Sequence, residues 1–311
     1  GDCFSAAFYR GRGSKLDRYR AYYHNDVTVG EDYEMMTALL GFNPHRHPGK
    51  ITGLAGHGSH NVECIDAVKS FLRKVWKKGS RNYFYEFHTE LEDKAVADLR
   101  KLRETQFKAY SQEDLAYAIQ YIAEEDTLAL IRDNVPDPQN HNICLAGGVF
   151  ANVKLNKRVH EMGFKNIFVQ PAMSDSGLAN GAVLAHLGLE QGLRPYKLKD
   201  VYGGPGYTNA DAEAAIRAAG LKYEVIEPIE PKIAELLSQS FVVARFEGRM
   251  EFGPRALGHR SILYMARDPQ VNNWLNKRLK RTEFMPFAPS TLYEAAEQCF
   301  EGVSGAHHSA Q

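Results

Sequence analysis

Four arginines, Arg245, Arg249, Arg255 and Arg260, fall within residues 245–263 (RFEGRMEFGPRALGHRSIL), with no lysine among them. A guanidinium is a fixed planar fork that grips phosphate or carboxylate oxygens in pairs, which the point charge of lysine does not do. The chain carries 38 basic and 38 acidic side chains, so the cluster is a local choice and not the average of a basic protein. Gly253-Pro254 marks a tight turn, and proline suits the first position of a helix. The spacing predicts a helix through PRALGHRS whose free backbone N–H groups, with Arg255, face an anion. Glu251, Gly253 and Ser261 lie among the arginines as further candidate ligand contacts. Residues 240–246 (SFVVARF) read as a short buried strand that brings Arg245 and Glu247 to its end. The alternative is a surface helix whose arginines pair with Glu247 and Glu251. Further on, Lys280 and Arg281 follow a helix expected over 270–279 and are candidates for extra anion contacts.

A second constellation lies upstream. In residues 145–156 (LAGGVFANVKLN), Gly147 and Gly148 let a ligand approach the backbone, and Asn152 offers hydrogen bonds to a sugar hydroxyl or phosphate. In residues 174–182 (SDSGLANGA), Asp175 ends a loop, Ser176 and Gly177 open a helix, and Gly181 permits close helix packing. Asp175 suits a metal ion or a phosphate-bound cation, and equally suits a plain helix N-cap. His57 and His60, three apart, would share a helix face, but no acidic residue stands at a matching spacing.

The residues 247–263 resemble the signature of the O-carbamoyltransferases that decorate antibiotics and nodulation factors. Residues 275–290 (LNKRLKRTEFMPFAPS) resemble a second segment of that family, with Met285 where arginine often stands, and residues 49–58 (GKITGLAGHG) are similar to a third. GGVFAN followed by SDSG resembles the nucleotide-binding half of the ASKHA superfamily. The narrower resemblance is to the branch shared by O-carbamoyltransferases, hydrogenase-maturation carbamoyltransferases and tRNA threonylcarbamoyl-transfer proteins. The likeness spans residues 1–302. It implies an ASKHA-type α/β domain lacking its first strands over 1–192, a linker at 193–207 and a YrdC-like α/β domain over 208–311, cut at both ends. In that branch the aspartate matching Asp175 is a metal ligand, partnered by two histidines that would precede residue 1. The resemblance further implies ATP and a divalent metal (iron or magnesium) as cofactors, and carbamoyl phosphate and a small-molecule hydroxyl acceptor as partners. Carbamoyl phosphate and ATP give a carbamoyl-adenylate, from which the carbamoyl group passes to the acceptor. On this reading, alanine at Arg255 or Arg260 abolishes carbamoyl-phosphate use and leaves the fold intact. The other readings are a non-catalytic nucleotide-binding regulator and an ASKHA kinase of a small metabolite; a kinase would release ADP without carbamoyl phosphate.

The elements that must position these residues follow from period and caps. Helices are expected over 30–40, 63–75, 91–108 and 112–133, the last capped by Ser111, with Leu115, Ala118, Ile119, Ile122, Ala123 and Leu128 on one face. Strand 141–145, helix 149–162, strand 165–170 and helix 177–189 make a doubly wound α/β succession with its sites at strand C-termini. Thr208 opens a helix closed by Gly220, followed by strand 221–226 and helix 233–240. A hairpin turns at residues 11–13, after a strand that opens at Gly1. Since residue 1 is not Met, the chain is expected to start inside a longer product. Composition (44% hydrophobic, 24% charged) is that of a globular protein, with no apolar run of the ~20 residues a membrane helix needs. The charge balance points to no nucleic-acid or membrane partner. Residues 76–88 (WKKGSRNYFYEFH) mix aromatic and basic side chains and read as an insertion lining an acceptor cleft, not as a nucleic-acid surface. The prolines around His45 and His47 place both in a solvated loop. Cys3, Cys64, Cys144 and Cys299 form no C-x-x-C pair and fit a reducing cytoplasm, with Cys144 expected in the core. A homodimer is compatible with all of this.

Overall fold

The computed structural model describes residues 4–23, 26–77, 92–192, 194, 198–265, 267, 270–278 and 287–301. Cys3, residues 78–88 of the aromatic insertion, Lys280, Arg281 and Met285 lie outside the described residues.

The chain opens with an antiparallel hairpin, β1 (Phe4–Arg12) and β2 (Lys15–Tyr23), paired from Phe4↔Tyr23 to Arg12↔Lys15 with register shifts between Phe4 and Ala6 and between Phe8 and Tyr9. Five helices follow among the described residues: α1 (Val29–Leu39), α2 (Pro48–Ala55), α3 (Val62–Lys77), α4 (Glu92–Thr105) and α5 (Gln112–Asn134). Their apolar stripes meet in one core that includes Met36, Leu39, Ile51, Val68, Leu99 and Ile119, all but sealed from solvent. The 23-residue α5 is the spine. Its N-terminal half packs in this helical core. Its C-terminal half contributes Leu128 and Ile131 to a second core, with Leu145, Leu155, Val159 and Val169. The face predicted for this helix is buried throughout. Ser111 caps it by accepting the Asp114 N–H at 3.0 Å. Ser111→Ala should therefore lower stability by about 1 kcal/mol in urea denaturation.

The second core is an α/β unit. Strand β3 (Asn142–Leu145) runs parallel to β4 (Asn166–Val169), with α6 (Val153–His160) as the crossover and α7 (Leu178–Glu190) following. The expected continuous helix 149–162 is broken: residues Gly148–Ala151 form a 3-10 turn, and Asn152, at φ −80°, ψ 96°, restarts the chain as the N-cap of α6. Cys144 is exposed and not a core residue, because Cys144 and Phe168 lie on the face of the two-stranded sheet turned away from the second core. No residue of α7 is buried, so Gly181 has open space where close packing was expected.

The third part holds α8 (Asn209–Ala218), α9 (Glu230–Ser238), β5 (Val243–Phe246), β6 (Arg260–Leu263), α10 (Val271–Arg278) and α11 (Ala296–Cys299). Thr208 and Asp211 form a reciprocal capping box on α8. Residues 221–226 form no strand: Leu221 and Val225 are exposed, and no partner strand stands beside them among the described residues. Strand β5 pairs antiparallel with β6 and is not buried. It has a partner on one side only, so alternate residues such as Phe246 face outward. No described helix is long and apolar enough to cross a membrane.

Candidate functional site

Residues 253–259 form an irregular loop between Glu251 and β6, not the predicted helix. The physical reason is Glu251. Its buried carboxylate Oε1 accepts the N–H groups of Leu257 (2.9 Å), His259 (2.7 Å) and Arg260 (3.0 Å). Those donors, expected to face a ligand, close on an internal anion instead. Burial opposes ionisation of this carboxyl, but the N–H groups of Arg260, Glu251 itself, Leu257 and His259 outweigh it and hold the pKa down at about 2. Ser261 Oγ accepts the Gly258 N–H at 2.8 Å and tightens the same loop.

The four arginines do different things. Arg249 donates through Nε and Nη2 to the carbonyls of Gly204 (3.0 Å) and Gly203 (2.9 Å). Arg260 donates to the carbonyls of Glu247 (2.6 Å), His259 (3.1 Å) and Gly248 (3.1 Å), with its guanidinium 3.7 Å from the Phe246 ring centre. Both are fasteners between main-chain segments. Arg245 pairs with Glu247, as the surface ion-pair reading expected for that residue, although no helix is involved. Arg255 is exposed and has no hydrogen-bond or ion-pair partner among the described residues. It is the guanidinium of the four left to meet an anion.

Residues 201–206, within the stretch expected as linker, pack onto this loop. Tyr202 stacks on His259 (centroids 3.7 Å apart, planes at 15°) and its hydroxyl donates to the Leu257 carbonyl at 3.0 Å. His259 Nδ1 donates to the Arg249 carbonyl at 2.8 Å. Neither Tyr202 nor His259 was singled out from the sequence; His259 sits inside the motif, so its position was the available signal.

The two glycine turns sit together at the C-terminal ends of the parallel strands. The Gly147 N–H donates to the Met173 carbonyl at 2.6 Å, tying the loop after β3 to the loop after β4. Gly148 has open space where a side chain would project. Asn152 Oδ1 accepts the Leu155 N–H at 3.1 Å and its Nδ2 donates to Gln120 Oε1 at 2.8 Å, so its polar atoms first serve the fold. At Gly177 a Cβ would stand 2.1 Å from the Ala172 carbonyl oxygen, which admits glycine alone. Asp175 and Ser176 are exposed. Asp175 does not cap α7, whose N-cap is Gly177.

The metal expectation meets a plain test. Among the described residues no group of three His, Cys, Asp or Glu side chains is placed to hold an ion, so Asp175 has no companion ligands there. His57 and His60 follow α2 in a turn and do not share a helix face; His60 packs edge-on against Tyr117 and Tyr121. His45 and His47 lie in the loop before α2, His45 exposed and His47 partly covered.

The two constellations touch at Gly253. Its φ is +126°, and a Cβ there would come within 2.7 Å of the Pro171 carbonyl oxygen, in the loop that leads to Asp175. Positive φ and backbone contact both require glycine. Gly253→Ala should cost about 1–2 kcal/mol by urea denaturation, from the strained φ and the displaced loop.

An arginine-bearing loop is thus seated against the loop that follows β4, beside the glycine turns at the strand ends. The chain belongs to the carbamoyltransferase family: residues 1–184 match the model of the carbamoyltransferase N-terminus, and residues 234–310 that of the carbamoyltransferase C-terminus. It is similar to an uncharacterized protein of Methanocaldococcus jannaschii, 33% identical over 290 residues, covering 88% of this chain and 46% of the relative. It is also similar to nodulation protein NolNO of Sinorhizobium fredii, 30% identical over 307 residues (97% and 44%). With nodulation protein U of Rhizobium tropici the identity is 37% over 180 residues (58% and 30%). The chain spans about half the length of the first two of these relatives, and less of the third. Its mixed α/β structure thus falls into two family-defined parts.

Proposed function

We propose that the protein is an O-carbamoyltransferase that uses carbamoyl phosphate and ATP. Carbamoyl phosphate, ATP and water would give carbamoyl-adenylate, pyrophosphate and inorganic phosphate, and the carbamoyl group would pass to a hydroxyl of a small-molecule acceptor, with AMP released. The observation that carries this reading is the contact at Gly253. It seats the loop bearing Arg255, which has no hydrogen-bond or ion-pair partner among the described residues, against the loop leading to Asp175 and Ser176. Carbamoyl-adenylate made next to Arg255 would pass to the glycine turns across that contact, with phosphate and pyrophosphate released. Arg255 would neutralise charge developing on phosphate oxygens, an electrostatic contribution made by positioning instead of covalent chemistry. Gly147, Gly148, Asn152 and Ser176 would line the nucleotide, with Lys280 and Arg281 as further anion contacts. The parts containing these sites are read as ASKHA-type and YrdC-like respectively. A divalent ion at Asp175 needs further ligands, which the described residues do not supply, so no step is assigned to it.

The test is pyrophosphate release from ATP with and without carbamoyl phosphate. Release that depends on carbamoyl phosphate supports the adenylation reading. Release of ADP alone, indifferent to carbamoyl phosphate, would replace it with a kinase.

A further inference from the structure

A chain of buried polar groups runs from the helical core to the loop after β3. Gln120, on α5, is 1% exposed, and Glu124, one turn on, is 2% exposed. The Tyr33 hydroxyl, from α1, donates to Gln120 Oε1 at 2.7 Å and lies 2.9 Å from Thr52 Oγ1 of α2. Burial, with the nearby Glu124 charge, pushes the Tyr33 phenol well above its usual range despite the Thr52 hydrogen bond, so it stays a neutral donor. Gln120 Nε2 donates to Glu124 Oε1 at 2.6 Å and to Asn152 Oδ1 at 3.3 Å, while Asn152 Nδ2 returns a bond to Gln120 Oε1 at 2.8 Å. Arg158 closes the chain by bonding Glu124 (2.9 Å) and Glu125 (2.8 Å), and Lys154 stands 3.5 Å from Glu124.

The direction of every bond in this chain is fixed from one end. The Leu155 backbone N–H can only donate, so the Asn152 atom facing it is the oxygen and the amide nitrogen faces Gln120. Gln120 must then present its oxygen to Asn152 and Tyr33 and its nitrogen to Glu124, which as a carboxylate only accepts. An amide with no rotational choice left holds its neighbour in one orientation. One Asn152 Nδ2 proton serves Gln120, which leaves the other for a ligand at the 147–152 turn.

We propose that Gln120 is a positioning residue for ligand binding at this turn: it acts through Asn152, whose side-chain amide it locks in the orientation that presents a donor to the nucleotide. The proposal rests on the reading of this loop as the nucleotide site. The experiment measures ATP affinity, with magnesium, by calorimetry for the parent protein, Asn152→Ala, Gln120→Met, the double variant and Tyr33→Phe, with circular dichroism to verify folding. Gln120→Met is expected to weaken ATP binding about tenfold, the worth of one oriented hydrogen bond. The double variant should bind no more weakly than Asn152→Ala, since both changes remove one interaction. Tyr33→Phe keeps the amide pair and should stay within about twofold of the parent. If Asn152→Ala loses affinity and Gln120→Met does not, the positioning role falls while the nucleotide site stands. Losses that add in the double variant, or a Tyr33→Phe loss as large as that of Gln120→Met, would mean general loosening of the core and overturn the proposal. If Asn152→Ala binds ATP like the parent, or the parent binds none, the site reading itself fails and the proposal goes with it. Should Gln120→Met not fold, Gln120→Leu removes the same hydrogen bonds to Asn152 and is judged by the same comparisons.

Discussion

Arg255→Ala is expected to reduce carbamoyl-phosphate-dependent pyrophosphate release by roughly 100- to 1,000-fold, the usual consequence of deleting one preorganised donor from a developing charge. The thermal midpoint should not move, because Arg255 is exposed and makes no hydrogen bond or ion pair among the described residues that its loss would break. That combination separates it from Arg260. The sequence alone treats the two alike, as arginines whose replacement leaves the fold intact. The structure separates them: Arg260 donates to main-chain carbonyls on both sides of the loop and covers the Phe246 ring, so Arg260→Ala should lower stability as well as activity. Measuring pyrophosphate release and thermal unfolding on both variants decides the assignment. An Arg255→Ala protein with parental turnover removes this residue from the phosphate site.

Glu251→Ala is expected to be the most destabilising single change in the arginine stretch, by about 3 kcal/mol. It would leave the N–H groups of Leu257, His259 and Arg260 without their acceptor; a hydrogen bond to a charged group is worth about 1.5–3 kcal/mol net of water, and the opened loop recovers part of the three by binding solvent. The same carboxylate makes a pH prediction. Its pKa is lowered on folding from the ordinary 4.5 to about 2, so the folded state favours the ionised form. The stability it adds is complete above pH 4.5 and disappears as pH falls from there towards 2. Amide hydrogen exchange at Leu257, His259 and Arg260 should therefore quicken relative to the intrinsic rate below pH 4.5 in the parent. In Glu251→Gln, which cannot ionise, protection at these amides should be weaker and should not vary across that interval. Equal pH profiles for the two proteins would show that Glu251 does not hold the loop.

Much of the architecture was legible in residue order because it is local. The stripe on α5, the Ser111 and Thr208 caps and the strand–turn–helix rhythm of residues 142–190 depend mostly on near neighbours, and they appear where the pattern puts them except that helix 149–162 breaks at Asn152. The motifs GGVFAN, SDSG and EFGPRALGHRS were equally visible, and they carried the family. What failed depended on partners distant in sequence. Residues 221–226 have strand-forming side chains but no neighbouring strand among the described residues, and Cys144 has an apolar setting in sequence but an uncovered sheet face in space.

By itself the sequence determined most of the helices, the Ser111 and Thr208 caps and the carbamoyltransferase motifs, since each is written in short-range spacing. Only the tertiary structure decided which donors remain available for chemistry. Glu251 takes the backbone N–H groups that a proline-led helix would have offered, and the carbonyls of residues 203–205 and 247–248 hold Arg249 and Arg260. Gln120, 32 residues away, fixes Asn152. A hydrogen-bonding group is committed by whatever the fold brings within about 3 Å of it, and residue type does not reveal that neighbour.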